Sequence, residues 1–222
     1  MSFETMWPLL WQGTLETLYM TIVSFFLAYL VGIPLGVLLV ISRKNGIKPM
    51  PILNSILGSI INFLRSIPFV ILLIMLIPIT RFITGKGTGT TESVIFPLFF
   101  SAFPFITRLV ESSLEEVDGG VIEAAQSMGS SISQIIFKVM LPEALPSLLS
   151  GATIAITTIL GYTAMASTVG GGGLGSIAIV KGVSQRKFDL MYAASIMLVL
   201  LVQILTVLGT KITRLVDHRQ RQ

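Results

Sequence analysis

The chain has 222 residues, 53% hydrophobic and only 12% charged, with a mean hydropathy of +0.87. Soluble domains carry about 25% charged residues, so this composition excludes an ordinary soluble domain and points to a membrane protein. The absence of Cys excludes a disulfide framework, a thiol nucleophile and a thiolate metal site. The formal net charge of +4 reads as topology rather than nucleic-acid affinity, because the basic residues flank apolar runs. His218, the only His, stands in a basic tail and reads as a solvated residue, so no metal site is expected. The N-terminus lacks a basic n-region, and Glu4 and Glu16 precede the first apolar run, so no cleavable signal is expected.

In chain order, the first span is Leu18–Ile41, 24 uncharged residues with Gly32 and Pro34 inside. Trp7 and Trp11 ahead of it suit the headgroup level. From Ile52 to Leu64, aliphatic residues recur at helical spacing, with Asn54, Ser55, Gly58, Ser59 and Asn62 on the other face. One long tilted helix and an interfacial helix feeding a span both fit, with the span placed near 62–80. Arg65 would cost roughly 2.5–3.5 kcal/mol at the bilayer centre. It is therefore expected at the cytoplasmic side or in the protein interior, as a snorkelling anchor or a functional polar residue. Gly85, Gly87 and Gly89 mark a loop. The third span, 93–112, carries Pro97 and Pro104. Ala144–Val180 is uncharged over 37 residues, which predicts a span at 146–167, ended by Gly170 to Gly175, and then a short external or re-entrant piece. The fifth span is 190–210. The chain thus reads as one transmembrane domain, 1–222, with a polar loop at 113–143.

Five spans put the termini on opposite sides. With the N-terminus outside, the cytoplasmic side holds Arg43, Lys44, Lys48, Arg108, Lys138, Lys211, Arg214, Arg219 and Arg221. The outside then holds Arg81, Lys86, Lys181, Arg186 and Lys187. The bias predicts the N-terminus outside and the C-terminus cytoplasmic.

The polar loop contains Glu123-Ala124-Ala125-Gln126-Ser127-Met128-Gly129 and then Val139-Met140-Leu141-Pro142. Asp118 upstream is a candidate helix cap. On a helix, Ala125 and Gly129 stack on one face and leave a shallow dent. Glu123 is expected in the first turn, where a carboxylate can bind backbone N–H groups or a partner's basic residue. Glu111, Glu115, Glu116 and Asp118 read as a solvated acidic helix end.

This spacing resembles the cytoplasmic loop of bacterial ABC importer permeases, with Val139 where Ile is usual. Phe63-Leu64-Arg65-Ser66-Ile67-Pro68-Phe69, Gly161-Tyr162-Thr163-Ala164-Met165 and Val169-Gly170-Gly171-Gly172-Gly173-Leu174-Gly175 look like the methionine-uptake subfamily. The resemblance implies an all-α integral membrane protein of the type I ABC importer permease fold, with five transmembrane helices per subunit. It also implies a homodimer in the bacterial inner membrane, two ABC ATPase subunits docked on the loops, and an external substrate-binding lipoprotein. Glu123, Ala124, Ala125, Gly129, Leu141 and Pro142 are then the ATPase-coupling residues, and ATP is bound by the partner rather than by this chain. Substrates other than methionine, another amino acid or a small polar solute, remain open.

Thr158, Gly161 and Met165 share one face of the fourth span, with Tyr162 adjacent. Hydroxyl, glycine and a flexible thioether suit a narrow path better than lipid, and Met165 from two copies is expected to close that path near a two-fold axis. Packing alone would also account for Tyr162 and Met165. Gly170-Gly171-Gly172-Gly173-Leu174-Gly175 matches G-x-G-x-x-G formally, but it follows a membrane helix and lacks the P-loop Lys. Its glycines suit tight turns and close helix contact. An ATP-independent carrier would show inverted repeats and intramembrane charges, and a membrane enzyme would show paired carboxylates or His clusters. Neither pattern is evident, so no enzymatic activity is expected of this chain.

Overall fold

In hydrocarbon every backbone amide must find a partner within its own segment, which confines long uncharged runs to helix. The structure is a computed structural model, and it describes residues 3–217; the expectations for His218, Arg219 and Arg221 fall outside them. The regular structure of the described residues is helical throughout. Four helices are long and apolar enough to cross a membrane: α1 (Phe3–Ile41), α5 (Thr91–Glu115), α9 (Leu145–Met165, with a 3-10 turn at Ala166–Val169) and α11 (Phe188–Val216). α2 (Pro51–Arg65) and α3 (Phe69–Met75) qualify only together, as a bent pair that would bring the number to five.

A single helix through 62–80 is not what forms. α2 stops at Arg65, where the Ser66 N–H bonds back to Asn62 and Phe63, and α3 starts only after Pro68. Proline has no N–H to donate and disfavours helical backbone in the residue before it, so Ile67-Pro68 breaks the run. Proline also sits in the first turn of α4 (Ile77–Thr84), where a missing donor is harmless. α1 begins well before the predicted span, and the hydroxyls of Thr14, Thr17 and Thr21 donate to the carbonyls of Leu10, Gly13 and Thr17. Three polar side chains are thereby satisfied inside an apolar helix.

Packing divides the chain into two units. The first comprises the described residues of Met1–Ala28, with Ile67–Ala102 and Ala155–Val207. One of its clusters joins Met20 of α1 to Phe69 and Leu73 of α3, Val94 and Leu98 of α5, and Ala166. A second cluster joins Leu10 to Leu174, Ile177, Leu190 and Ala194. Leu174 belongs to α10 (Gly173–Ser176), and Ile177 to the π-helical stretch that continues it, Ile177–Ser184.

The second unit comprises Tyr29–Ser66, Phe103–Ile154 and the described residues of Leu208–Gln222. Here α1 meets α5 through Gly32 and Gly36, four residues apart. A methyl group on Gly32 would lie 2.6 Å from Ile106 Cγ2, and one on Gly36 would lie 2.7 Å from Val110 Cβ. Lipid tails are as apolar as leucine, so helices in a membrane associate through such close packing rather than through hydrophobic exclusion. Gly32 and Gly36 are thus a small-xxx-small pair at a helix contact.

Candidate functional site

The segment after α5 is built by caps. Asp118 accepts from the Gly120 N–H at 2.6 Å and starts α6 (Gly119–Ser127), so a carboxylate faces the positive end of the helix. Glu123 therefore lies beyond the first turn, not in it, because both glycines belong to the helix. Ala125 is buried, while Glu123, Ala124 and Gln126 are exposed and Met128 is 79% exposed.

Gly129 does not continue the face of Ala125. It sits at φ +77 just past the helix end, with Gly129 N–H bonded to Gln126 O at 2.9 Å and Ser130 N–H to Ala125 O at 3.1 Å. That pair of bonds is a Schellman close, which requires left-handed backbone and hence favours glycine. The expected dent between Ala125 and Gly129 is replaced by a helix terminator.

Ser131 and Gln134 then form a reciprocal capping box for α7 (Ile132–Ile135), with Ser131 N–H to Gln134 Oε1 at 2.8 Å. A π-helical turn, Ile136–Met140, leads into α8 (Leu141–Glu143), and the Leu141 N–H reaches Ile136 O five residues back. Pro142 supplies the reason: a proline ring clashes with the carbonyl four residues earlier, and a widened turn relieves it. Leu141 is half-buried and Pro142 exposed.

Behind α6 lies a cleft of about 380 Å³, walled by Val40 from α1 and Arg43 from the turn after it, Leu114 and Glu115 from α5, and Ile122 and Glu123 from α6. Arg43 and Glu115 in that wall belong to an ion network. Arg43 pairs with Glu111 at 2.8 Å and also with Glu115, while Arg108 meets Glu111 at 2.5 Å, Asn62 Oδ1 at 3.1 Å and the Gly58 carbonyl at 2.9 Å. Asn54 donates to Leu39 O at 2.6 Å and Ser42 Oγ at 3.0 Å. Glu111 is only 6% exposed, so it is not part of a solvated helix end. Two guanidiniums at hydrogen-bond distance offset the desolvation of that carboxylate. The pairing joins the turn after α1 to α2 and α5, and sequence offered only the three-residue spacing of Arg108 and Glu111 as a sign of it. Arg65 is not in the network; it is exposed in the last turn of α2, where a cation complements the helix dipole.

The residues singled out on α9 separate. Tyr162 is half-buried and stacks on Phe69, with ring centroids 4.6 Å apart and planes 7° apart. It packs within the first unit. Met165 is 47% exposed and Thr158 half-buried. Gly161 is open and lines an apolar groove of about 300 Å³ with Leu160, Ala164, Leu198, Val199 and Val202. The glycine string beyond them is held by α1, as Gly173 N–H donates to Glu16 Oε2 at 2.7 Å and Leu174 N–H to Thr17 Oγ1 at 2.9 Å. No sequence signal connected Glu16 to those glycines.

Long lipid-compatible helices, with a separately capped, exposed helical segment between two of them, define a polytopic membrane component. The chain belongs to the family of binding-protein-dependent transport system inner membrane components, whose model matches residues 28–222. It is 45% identical to a probable D-methionine transport system permease protein MetI of Vibrio cholerae, over 99% of this chain and 100% of that one. It is 41% identical to the methionine import system permease protein MetP of Bacillus subtilis, over 95% of this chain and 94% of that one. Among solved structures it resembles the MetNI methionine ABC transporter in inward-facing conformations, with TM-score 0.95 and 43% identity, covering 98% of this chain and 100% of that one.

Proposed function

We propose that the chain is the permease subunit of an ATP-driven methionine importer. It works as a homodimer with the N-terminus outside and the path between the two copies, and an external binding protein delivers the substrate. The observation that carries this reading is similarity along the full length, at 41–45% identity, to permeases described as methionine transporters. Residues 118–143 are the coupling segment. Glu123, Ala124 and Met128 offer an exposed face to a separate ATPase, Gly129 ends that face, and Leu141 and Pro142 join it to α9. ATP binding on the partner draws two such segments together, and the helices rock open to the outside; hydrolysis returns them. ATP is bound by the partner, and this chain performs no chemistry of its own.

Met165 with Thr158 is the gate, and Tyr162 holds α9 against Phe69 behind it. The exposure of Met165 on a helix whose neighbouring aromatic is packed away supports this choice. The decisive experiment is reconstitution of the permease with its ATPase in vesicles and measurement of methionine uptake. Uptake that needs ATP and the ATPase supports the proposal. Uptake that proceeds with the permease alone favours an ATP-independent carrier, and ATP-driven uptake of another solute but not methionine corrects the substrate.

A further inference from the structure

The helical stretch Gly173–Ser184 has no cap of its own, because the residue at its N-cap position is Gly172, at φ +75, which has no side chain. Its first two amides are taken instead by residues 157 positions earlier in the chain: Gly173 N–H by Glu16 Oε2 at 2.7 Å and Leu174 N–H by Thr17 Oγ1 at 2.9 Å. Glu16 is steadied in turn by Gln12 Nε2 at 3.0 Å, and Thr17 by the Gly13 carbonyl at 2.8 Å. A carboxylate at a helix N-terminus is favoured by both the free amides and the dipole. The glycines allow the approach, since a methyl group on Gly173 would stand 2.7 Å from Thr17 Oγ1 and one on Gly172 2.9 Å from Glu16 Oε2.

The same stretch bears directly on the end of α9. A methyl group on Gly175 would fall 2.5 Å from Ala164 Cα, the residue before Met165. Between Met165 and Gly173, the Gly170 N–H bonds to Ser167 O at 3.0 Å and the Gly171 N–H to Ala166 O at 3.1 Å, so little slack remains. Glu16 and Thr17 lie ahead of the family-matched residues 28–222, so the α1 half of the clamp is outside what that family model describes.

We propose that Glu16 is a positioning residue for the gate: by capping Gly173 from α1 it fixes the glycine turn, and through Gly175 and Ala164 it fixes Met165. This rests on the reading of Met165 as the gate. The test uses the complete transporter in vesicles and reads methionine leak without ATP, uptake per ATP hydrolysed, and amide exchange at Gly173 and Leu174. Glu16→Ala is expected to raise the leak about tenfold, the size set by losing one hydrogen bond to a charged group. The leak comes with faster exchange at Gly173. Glu16→Gln, which keeps an acceptor oxygen, is expected to restore most of the barrier. A merely structural role would lower the amount of assembled transporter without changing the leak of each one. If Glu16→Ala does not assemble, Thr17→Val removes the Leu174 acceptor and is read in the same way. Assembled Glu16→Ala or Thr17→Val with the parent leak and the parent uptake per ATP overturns the proposal. Met165→Ala is the control. If it leaks while Glu16→Ala stays tight, the clamp inference alone fails; if Met165→Ala stays tight, the gate reading fails and takes this inference with it.

Discussion

Glu111 and Gly129 show how much one residue can determine. Glu111 is buried between Arg43 and Arg108, and removing one member of such a group leaves an uncompensated charge. Glu111→Ala is therefore expected to cost roughly 3–5 kcal/mol, and Arg43→Ala less, because Arg108 still covers the carboxylate. Thermal unfolding of the detergent-solubilised permease measures both, and equal losses would mean Arg108 does not hold Glu111 alone. At Gly129 nothing stands within 4 Å of a built methyl group, so a side chain there meets strain rather than crowding. Gly129→Ala is expected to cost about 1–2 kcal/mol, the penalty for left-handed backbone, and Gly129→Asn less, because Asn tolerates that region. Reduced ATPase pull-down that follows this order supports the terminator role; an order set by side-chain size returns the argument to a docking dent. The two residues also mark what sequence discloses. The Asp118 cap is local and legible in the sequence. Arg43, one of the two guanidinium partners of Glu111, and Gly173, which Glu16 caps, lie 68 and 157 positions away, and no periodicity reports a contact at that separation.

At the scale of elements, the long apolar helices were legible because lipid leaves the backbone no alternative, whereas the break at Ser66–Pro68 required weighing one proline against a run of apolar residues. The α1–α5 contact rests on two glycines. Gly36→Leu is expected to destabilise the second unit by about 1–3 kcal/mol through overpacking against Val110. Pro142→Ala restores an N–H and removes the ring clash, so the π-helical turn at Ile136–Met140 can relax to α-helix. The expected outcome is normal assembly with less methionine carried per ATP, read by parallel ATPase and uptake assays. Unchanged coupling would show that the widened turn is only an accommodation of the ring.

For the whole molecule, the proposed orientation and pairing rest on charge and exposure. A tag at Gly87, in the exposed loop after α4, is expected to be reachable from outside intact cells; labelling only after permeabilisation would invert the topology and place the proposed coupling segment out of reach of a cytoplasmic ATPase. Because the chain has no Cys, Met165→Cys introduces a single thiol, and oxidation or a short cross-linker is expected to join two copies in at least one nucleotide state. Failure in every state places Met165 away from the axis. The π-helical turn bears on how such chains can vary in length. A residue inserted into an α-helix rotates everything beyond it by about 100°, since 3.6 residues complete a turn, but a residue held in a π-turn is absorbed where it stands. A relative lacking one residue within 136–140 would therefore aim the faces of α9 as this chain does, whereas the same loss near Ser150 would swing Thr158 and Met165 by more than a quarter turn. Single-residue length differences among homologues should collect before Pro142 and be rare within α9.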